Sequence, residues 1–240
     1  MKYLALLTCL IGSALASAAA DPPIKVVMFS GSSEYKSNDS LNDLKKILEQ
    51  DHKCECTVNI VEEKGTTLTG IEGLATADVA IFFTRRVSLS DDQIEKVKKF
   101  IKAGKGVVGI RTASHGFQTW LGFDPEILGG SYNNHYGKDV PAEVTLDDKG
   151  KTHPILKDIT PFTTQGKLYK NPKIAEDATI LLRAKTPDYG EPVAWAREAK
   201  EGTRGRVFYT SLGTPDDFKI PQFQKLITNA VKWAANKSKP

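Results

Sequence analysis

Arg111, Thr112, Ser114 and His115 stand within five residues of one another, directly after the apolar run Gly106–Ile110 in the stretch GVVGIRTASH. A buried strand that stops abruptly in a guanidinium, hydroxyls and an imidazole delivers side chains to a site. The planar fork of Arg111 suits a carboxylate, a phosphate or a pair of sugar hydroxyls. A structural ion pair with an acid such as Glu34 or Asp216 is the alternative for it. His115 suits a general base or a metal ligand, with capping or a backbone hydrogen bond as its alternative. A permanently protonated guanidinium is no nucleophile at neutral pH. Thr112 and Ser114 lack the Gly-x-Ser-x-Gly setting of a nucleophile elbow.

Other chemistry-bearing residues fall where further strands should end: Ser30, Gly31 and Glu34 after the first, Arg85 and Arg86 after the third, and Ser211 after the last. Two adjacent arginines after AIFFT cannot both point into a core. Together these ends describe a polar pocket for a small polyhydroxylated or anionic ligand. His135 lies in GGSYNNHYG, a loop too rich in Gly and Asn to serve packing alone. His115, His135 and Glu34 could form a zinc-type site of two imidazoles and a carboxylate with an open position, so a divalent metal such as zinc is the cofactor to look for. Tyr169 could edge the same pocket and offer an aromatic face to a pyranose. Trp195, in mid-strand, reads more naturally as core. His153, before Pro154, reads as structural, and His52, after a helix end, as solvated.

The elements that must position these residues follow from periodicity. Strands are expected over Ile24–Ser30, Cys56–Val61, Asp78–Thr84 and Val107–Ile110. A helix opening at Ser40 carries Leu41, Leu44, Ile47 and Leu48 on one face. A second, capped by Ser90 and stopped by Gly104, carries Ile94, Val97, Phe100 and Ile101. Near-continuous apolar strands alternating with helices predict a parallel sheet covered on both faces. The second half changes character: Ala142–Leu146 alternates like a half-exposed strand, and Thr179–Ala184, Pro192–Glu198 and Arg206–Leu212 read as three more strands of an antiparallel extension. A last helix starts at Pro221, an allowed first-turn position.

Residues 1–20 read as a secretory signal, with Lys2, an apolar stretch from Tyr3 to Leu15, and small residues before a cleavage site near Ala20–Asp21. Lipidation at Cys9 is the rival reading, against which only six residues separate that cysteine from Lys2. The mature chain, 21–240, is expected to form one domain, in the periplasm or outside the cell. With 33 basic and 29 acidic residues interspersed along the full chain, the charge pattern argues against nucleic acid or a membrane surface as partner and leaves a small molecule. Cys54 and Cys56 would share one face of a strand. Free thiols and a strained disulfide are both open, and a lone Cys-x-Cys lacks zinc spacing.

The order KKFIKAGKGVVGIRTASHGF, ILGGSYNNHYG, THPILKDI, LYKNP, EPVAWARE and GRVFYTSLG…FQKLITNAVKWA resembles the ThuA-like (trehalose-utilisation) domain over about Ile24 to Ala235. The resemblance implies a flavodoxin-like α/β sandwich of the class I glutamine amidotransferase-like superfamily, and a sugar ligand, either a disaccharide or its 3-keto derivative. In the amidotransferases a catalytic cysteine occupies the turn after the equivalent strand, following a Gly and one apolar residue. Here Gly109 and Ile110 lead to Arg111, which argues against glutaminase activity and leaves a carbohydrate-processing enzyme or a non-catalytic sugar- or acid-binding protein.

Overall fold

Ile24–Gly31 forms the first strand, β1, and its alternation shows how the fold is built: Val26 and Met28 pack on one face of the sheet, Val27 and Phe29 on the other, all four buried. The computed structural model describes residues 22–137 and 139–236, the Asp51 side chain excepted. The expected leader, its cleavage point and Cys9 lie outside these residues. After β1 come α1 (Ser37–Asp51), β2 (Cys54–Ile60), β3 (Val79–Thr84), α2 (Asp91–Lys102), β4 (Gly106–Ile110), β5 (Ala142–Leu146), β6 (Phe162–Thr164), β7 (Ala178–Lys185), β8 (Gly190–Arg197), β9 (Val207–Thr210) and α3 (Pro221–Ala234).

All nine strands join one sheet in the order β2-β1-β3-β4-β9-β8-β7-β5-β6. The first five are parallel and the remainder antiparallel, which is the expected α/β sandwich with its antiparallel extension, except that β9, expected in the extension, runs parallel to β4 and joins the two parts by pairing antiparallel with β8. Leu41, Leu44 and Leu48 of α1 and Phe223, Leu226, Ile227 and Val231 of α3 cover one face. Ile94, Val97, Phe100 and Ile101 of α2 cover the other. Strands that are apolar on both faces are what such a sandwich requires.

The helix ends obey local chemistry, with one correction. Ser90 caps α2 through a reciprocal box with Gln93, and Gly104, at φ +77°, ends it. α1 begins at Ser37 rather than Ser40, because Lys36 turns into the left-handed region and the Ser37 hydroxyl bonds Ser30 Oγ and accepts from the Ser32 amide. That serine ties the helix start to the end of β1. β2 begins two residues earlier than expected, so Cys54 and Cys56 both sit on it, buried and unbridged. The Cys54 contact and burial push the Cys56 thiol far above its ordinary range, leaving it an inert core group. β6, three residues long, is too short for periodicity to reveal. Between β2 and β3 the crossover contains only the short 3-10 turn Ile71–Ala75, packed through Ile71 and Leu74.

Candidate functional site

The strand order reverses at β1, whose neighbours β2 and β3 carry the chain to opposite sides, and ligands of open α/β sheets bind beyond the carboxyl ends at such a point. The loops after β1, β2, β3, β4 and β9 meet there. β4 drives straight into the 3-10 turn Arg111–His115. Arg111 takes φ +46°, a left-handed conformation that a non-glycine residue adopts at a cost of the order of 1 kcal/mol or more. The Tyr209 hydroxyl donates to the Arg111 carbonyl at 2.8 Å, and Ser114 Oγ donates to the same oxygen at 3.3 Å. Gly109 lets the turn form where it does: a Cβ there would lie 2.8 Å from Leu128 and 3.0 Å from Tyr209. The strained elbow is therefore retained, with an arginine at its apex.

Arg111 does not make the ion pair considered for it. Glu34 binds Arg85 at 3.2 Å and Asp216 binds Lys219 at 2.8 Å. Arg111, 3% exposed, instead lies between two tyrosine faces, its guanidinium carbon 4.1 Å from the Tyr35 ring centre and 4.8 Å from that of Tyr169. Nη1 donates to the Ser211 carbonyl at 2.8 Å. Nη2 donates to Tyr35 Oη at 3.3 Å and to the Lys167 carbonyl at 3.4 Å, and Nε has no partner among the described residues. Asp217 adds a weaker favourable field, but its carboxylate is already filled by Thr164 Oγ1 and the Gly213 and Thr214 amides. The fork is thus enclosed rather than offered to an open pocket, and its charge is shared between ring faces and carbonyls.

His115 closes the turn. Its ring stacks on Tyr132 at 4.3 Å, with Tyr169 5.9 Å away, and Nδ1 shares a 3.2 Å hydrogen bond with Ser114 Oγ. Burial, then the charges of Arg86, Arg85 and Arg111, lower the imidazole pKa to about 3 against a weak upward pull from Glu63. The neutral ring is the working form at neutral pH. Arg86, at φ +55°, donates its amide to the His115 carbonyl at 2.9 Å, which fixes the end of β3 against the elbow. Arg86 is exposed and has no carboxylate partner among the described residues, whereas Arg85 is held by Glu63 at 2.5 Å and by Glu34.

The other expected site residues divide. Tyr169, 2% exposed, joins the elbow and contacts Tyr132 at 4.7 Å. Thr112 and Ser211 are buried beside Arg111, their hydroxyls unpartnered among the described residues. Ser30 turns its hydroxyl to Ser37, and Gly31 packs on Val61, so both shape the loop from within. His135 reaches the rim, its ring 6.5 Å from Tyr169 and its Nδ1 hydrogen-bonded to the Tyr136 carbonyl. The metal set of His115, His135 and Glu34 is not assembled, because Glu34 is turned to Arg85, and among the described residues no three His, Cys, Asp or Glu side chains are grouped to hold an ion. Trp195 is core and donates to the Leu128 carbonyl at 2.7 Å. His153 caps the following turn by accepting from the Ile155 amide. His52 is half-buried at the end of α1 and lines a cavity of about 870 Å³ at the opposite, amino end of the strands.

Four contributors escape the sequence reading. Glu63, from VEEKG after edge strand β2, accepts from the Ser33 amide and hydroxyl and from Arg85. Burial works against its ionised form, but those bonds hold its pKa below the usual range. Tyr35 and Tyr132 sit one and three residues from positions already suspected. Asp124, in the π-helical turn Phe123–Leu128, accepts the Tyr132 amide on Oδ2 at 2.8 Å. Its Oδ1 is buried without a partner among the described residues, and burial raises its pKa to about 6. The Tyr132 loop is held further by backbone bonds from Asn133 to Lys170 and from Tyr136 to Leu168.

A parallel sheet with a reversal at β1, a strained turn after β4 and a non-nucleophilic apex defines a flavodoxin-like sandwich of the glutamine amidotransferase type. Solved structures agree. The chain is similar to a ThuA-like protein of Bacteroides uniformis (TM-score 0.71, 18% identity, 94% of this chain and 97% of that one). It is also similar to one of Parabacteroides merdae (0.71, 19%, 91% and 93%). A glutamine amidotransferase of Thermotoga maritima shares the fold more distantly (0.51, 10%, 89% and 99%). No curated protein matches the chain. The family model described as trehalose utilisation, ThuA, matches residues 25–234. The chain belongs to this family, which ties it to carbohydrate utilisation in general.

Proposed function

We propose that the protein acts on a disaccharide or keto-sugar at the β4 elbow, without glutaminase activity, after export to the periplasm or the medium. The observation that carries this reading is His115: a neutral imidazole stacked on Tyr132, beside Tyr169, at the meeting point of three guanidinium groups. Aromatic faces suit the apolar face of a pyranose. In a keto-sugar the base takes the proton from the carbon beside the carbonyl. The C–H electron pair becomes a C=C bond and the carbonyl π pair moves to oxygen as an oxyanion. The positive field of the arginine cluster around the imidazole favours that charge. Arg111 acts from behind the aromatic wall, through its field and by holding Tyr35 and Tyr169. Reprotonation at the neighbouring carbon gives isomerisation, and loss of a β-substituent gives elimination. With Arg111 at the apex the amidotransferase nucleophile is missing.

The export proposal rests on Lys2, the apolar run and the small residues before Asp21. A small-molecule partner, rather than nucleic acid or a bilayer, accords with the interspersed charge; among the described residues no helix is long and apolar enough to cross a membrane. A second reading, binding without turnover, is favoured by the same depressed basicity of His115, since a base so far below neutral is weak. A proton-NMR time course with a disaccharide and its 3-keto derivative tests both. Loss of keto-sugar signals that His115→Gln abolishes supports the enzyme. Line broadening without conversion supports binding, and no change with either compound removes the carbohydrate assignment.

A further inference from the structure

The elbow gathers more positive charge than its own carboxylates offset. Arg85, Arg86 and Arg111 all act on both His115 and Tyr132, while Glu34 and Glu63 are both committed to Arg85. Among the described residues, that leaves Arg86 exposed with no carboxylate partner, and Arg111 buried with its Nε unpartnered and no carboxylate within 4 Å. Arg111 is accommodated by its ring faces and carbonyls, so the uncompensated charge that an incoming group can reach is Arg86. Arg86 is tied to the elbow by its amide bond to the His115 carbonyl, and Tyr132, stacked on that imidazole, is half-buried, so the free guanidinium and an aromatic surface belong to the same loop cluster.

We infer that the site takes an acidic sugar, one whose carboxylate seats on Arg86 within the field of Arg111 while its ring lies against the half-buried Tyr132. The inference rests on the carbohydrate reading and narrows it. It also supplies the negative charge that the elbow's own carboxylates do not. The groups facing the imidazole are Arg85, Arg86, Arg111, Glu63, Tyr132 and Tyr169, and among their charges the cations dominate. A bound carboxylate cancels part of that field, so His115 becomes a stronger base only when the ligand is present.

The test is calorimetric titration of the full protein with glucuronate, methyl glucoside and acetate, at low and high salt. A charge-assisted contact of this kind predicts that glucuronate binds about tenfold or more tighter than methyl glucoside, with the advantage shrinking at high salt. Arg86→Gln, at an exposed position whose backbone bond is kept, removes the advantage while methyl glucoside binds as before. Equal affinity for glucuronate and methyl glucoside overturns this inference and leaves the carbohydrate reading standing, as does a glucuronate preference that survives Arg86→Gln. Acetate binding as tightly as glucuronate overturns both, because the site would then recognise anions without the sugar. Failure of all three probes to bind also overturns both.

Discussion

Replacing His115 by Gln should change how stability depends on pH, and the size of the change follows from its surroundings. In the folded chain the imidazole titrates near 3; in the unfolded chain it should return to about 6.5. The folded value is depressed, so between these limits the unfolded state binds a proton that the native state refuses. Native stability is unaffected above about pH 6.5 and falls as the pH drops below it, by up to ~1.4 kcal/mol per unit. At pH 5 the cost to the wild type is about 2 kcal/mol. The His115→Gln variant escapes it but loses the Tyr132 stack and the Ser114 contact, a loss that is the same at every pH. Urea unfolding of both proteins at pH 7 and pH 5 isolates the titration, because every other group, Asp124 included, is common to the two. The stability gap between wild type and variant should move by about 2 kcal/mol in the variant's favour on going to pH 5. A gap unchanged between the two pH values would refute the claim that His115 is held neutral by burial and arginines.

Asp124 titrates in the opposite sense. Its folded pKa, raised to about 6, means that its contribution is fully present below the unfolded value near 4 and is lost as the pH rises through 6. Asp124→Asn keeps an acceptor for the Tyr132 amide and removes a buried charge, so the melting temperature should rise at pH 7.5 by the equivalent of about 3 kcal/mol and show no gain at pH 4; a fall at pH 7.5 contradicts this. Tyr209→Phe removes the hydroxyl that anchors the Arg111 carbonyl and should cost about 1–2 kcal/mol in denaturant unfolding, with an unchanged midpoint as the contrary result.

Periodicity made the central sheet legible because β1, β3 and β4 are buried on both faces and therefore read as unbroken apolar runs. α2 was legible for a different reason: its cap, its acidic first turn and its glycine stop are all local signals. α1 was misplaced by three residues because its start depends on Ser37 reaching back to Ser30 and Ser32, a contact that no local pattern encodes. The elbow residues Arg111 and His115 could be found at a strand end, yet their roles could not. Whether Arg111 meets a carboxylate or two ring faces depends on Tyr35 and Tyr169, 76 and 58 residues away in sequence. Glu63 is not legible because its role depends on Ser33 and Arg85, 30 and 22 residues away in sequence. Asp124 carried no sequence signal: its significance arises only from burial beneath the Tyr132 loop.

The central claim is that His115 removes a proton beside a sugar carbonyl, and hydrogen–deuterium exchange reads that step without requiring the rest of the reaction. A 3-keto-disaccharide incubated in D₂O with the protein should lose the NMR signal of the proton next to its carbonyl faster than in buffer alone, with wild-type protein but not with His115→Gln. Exchange at the uncatalysed rate with wild-type protein, or equal acceleration by the variant, would contradict the account.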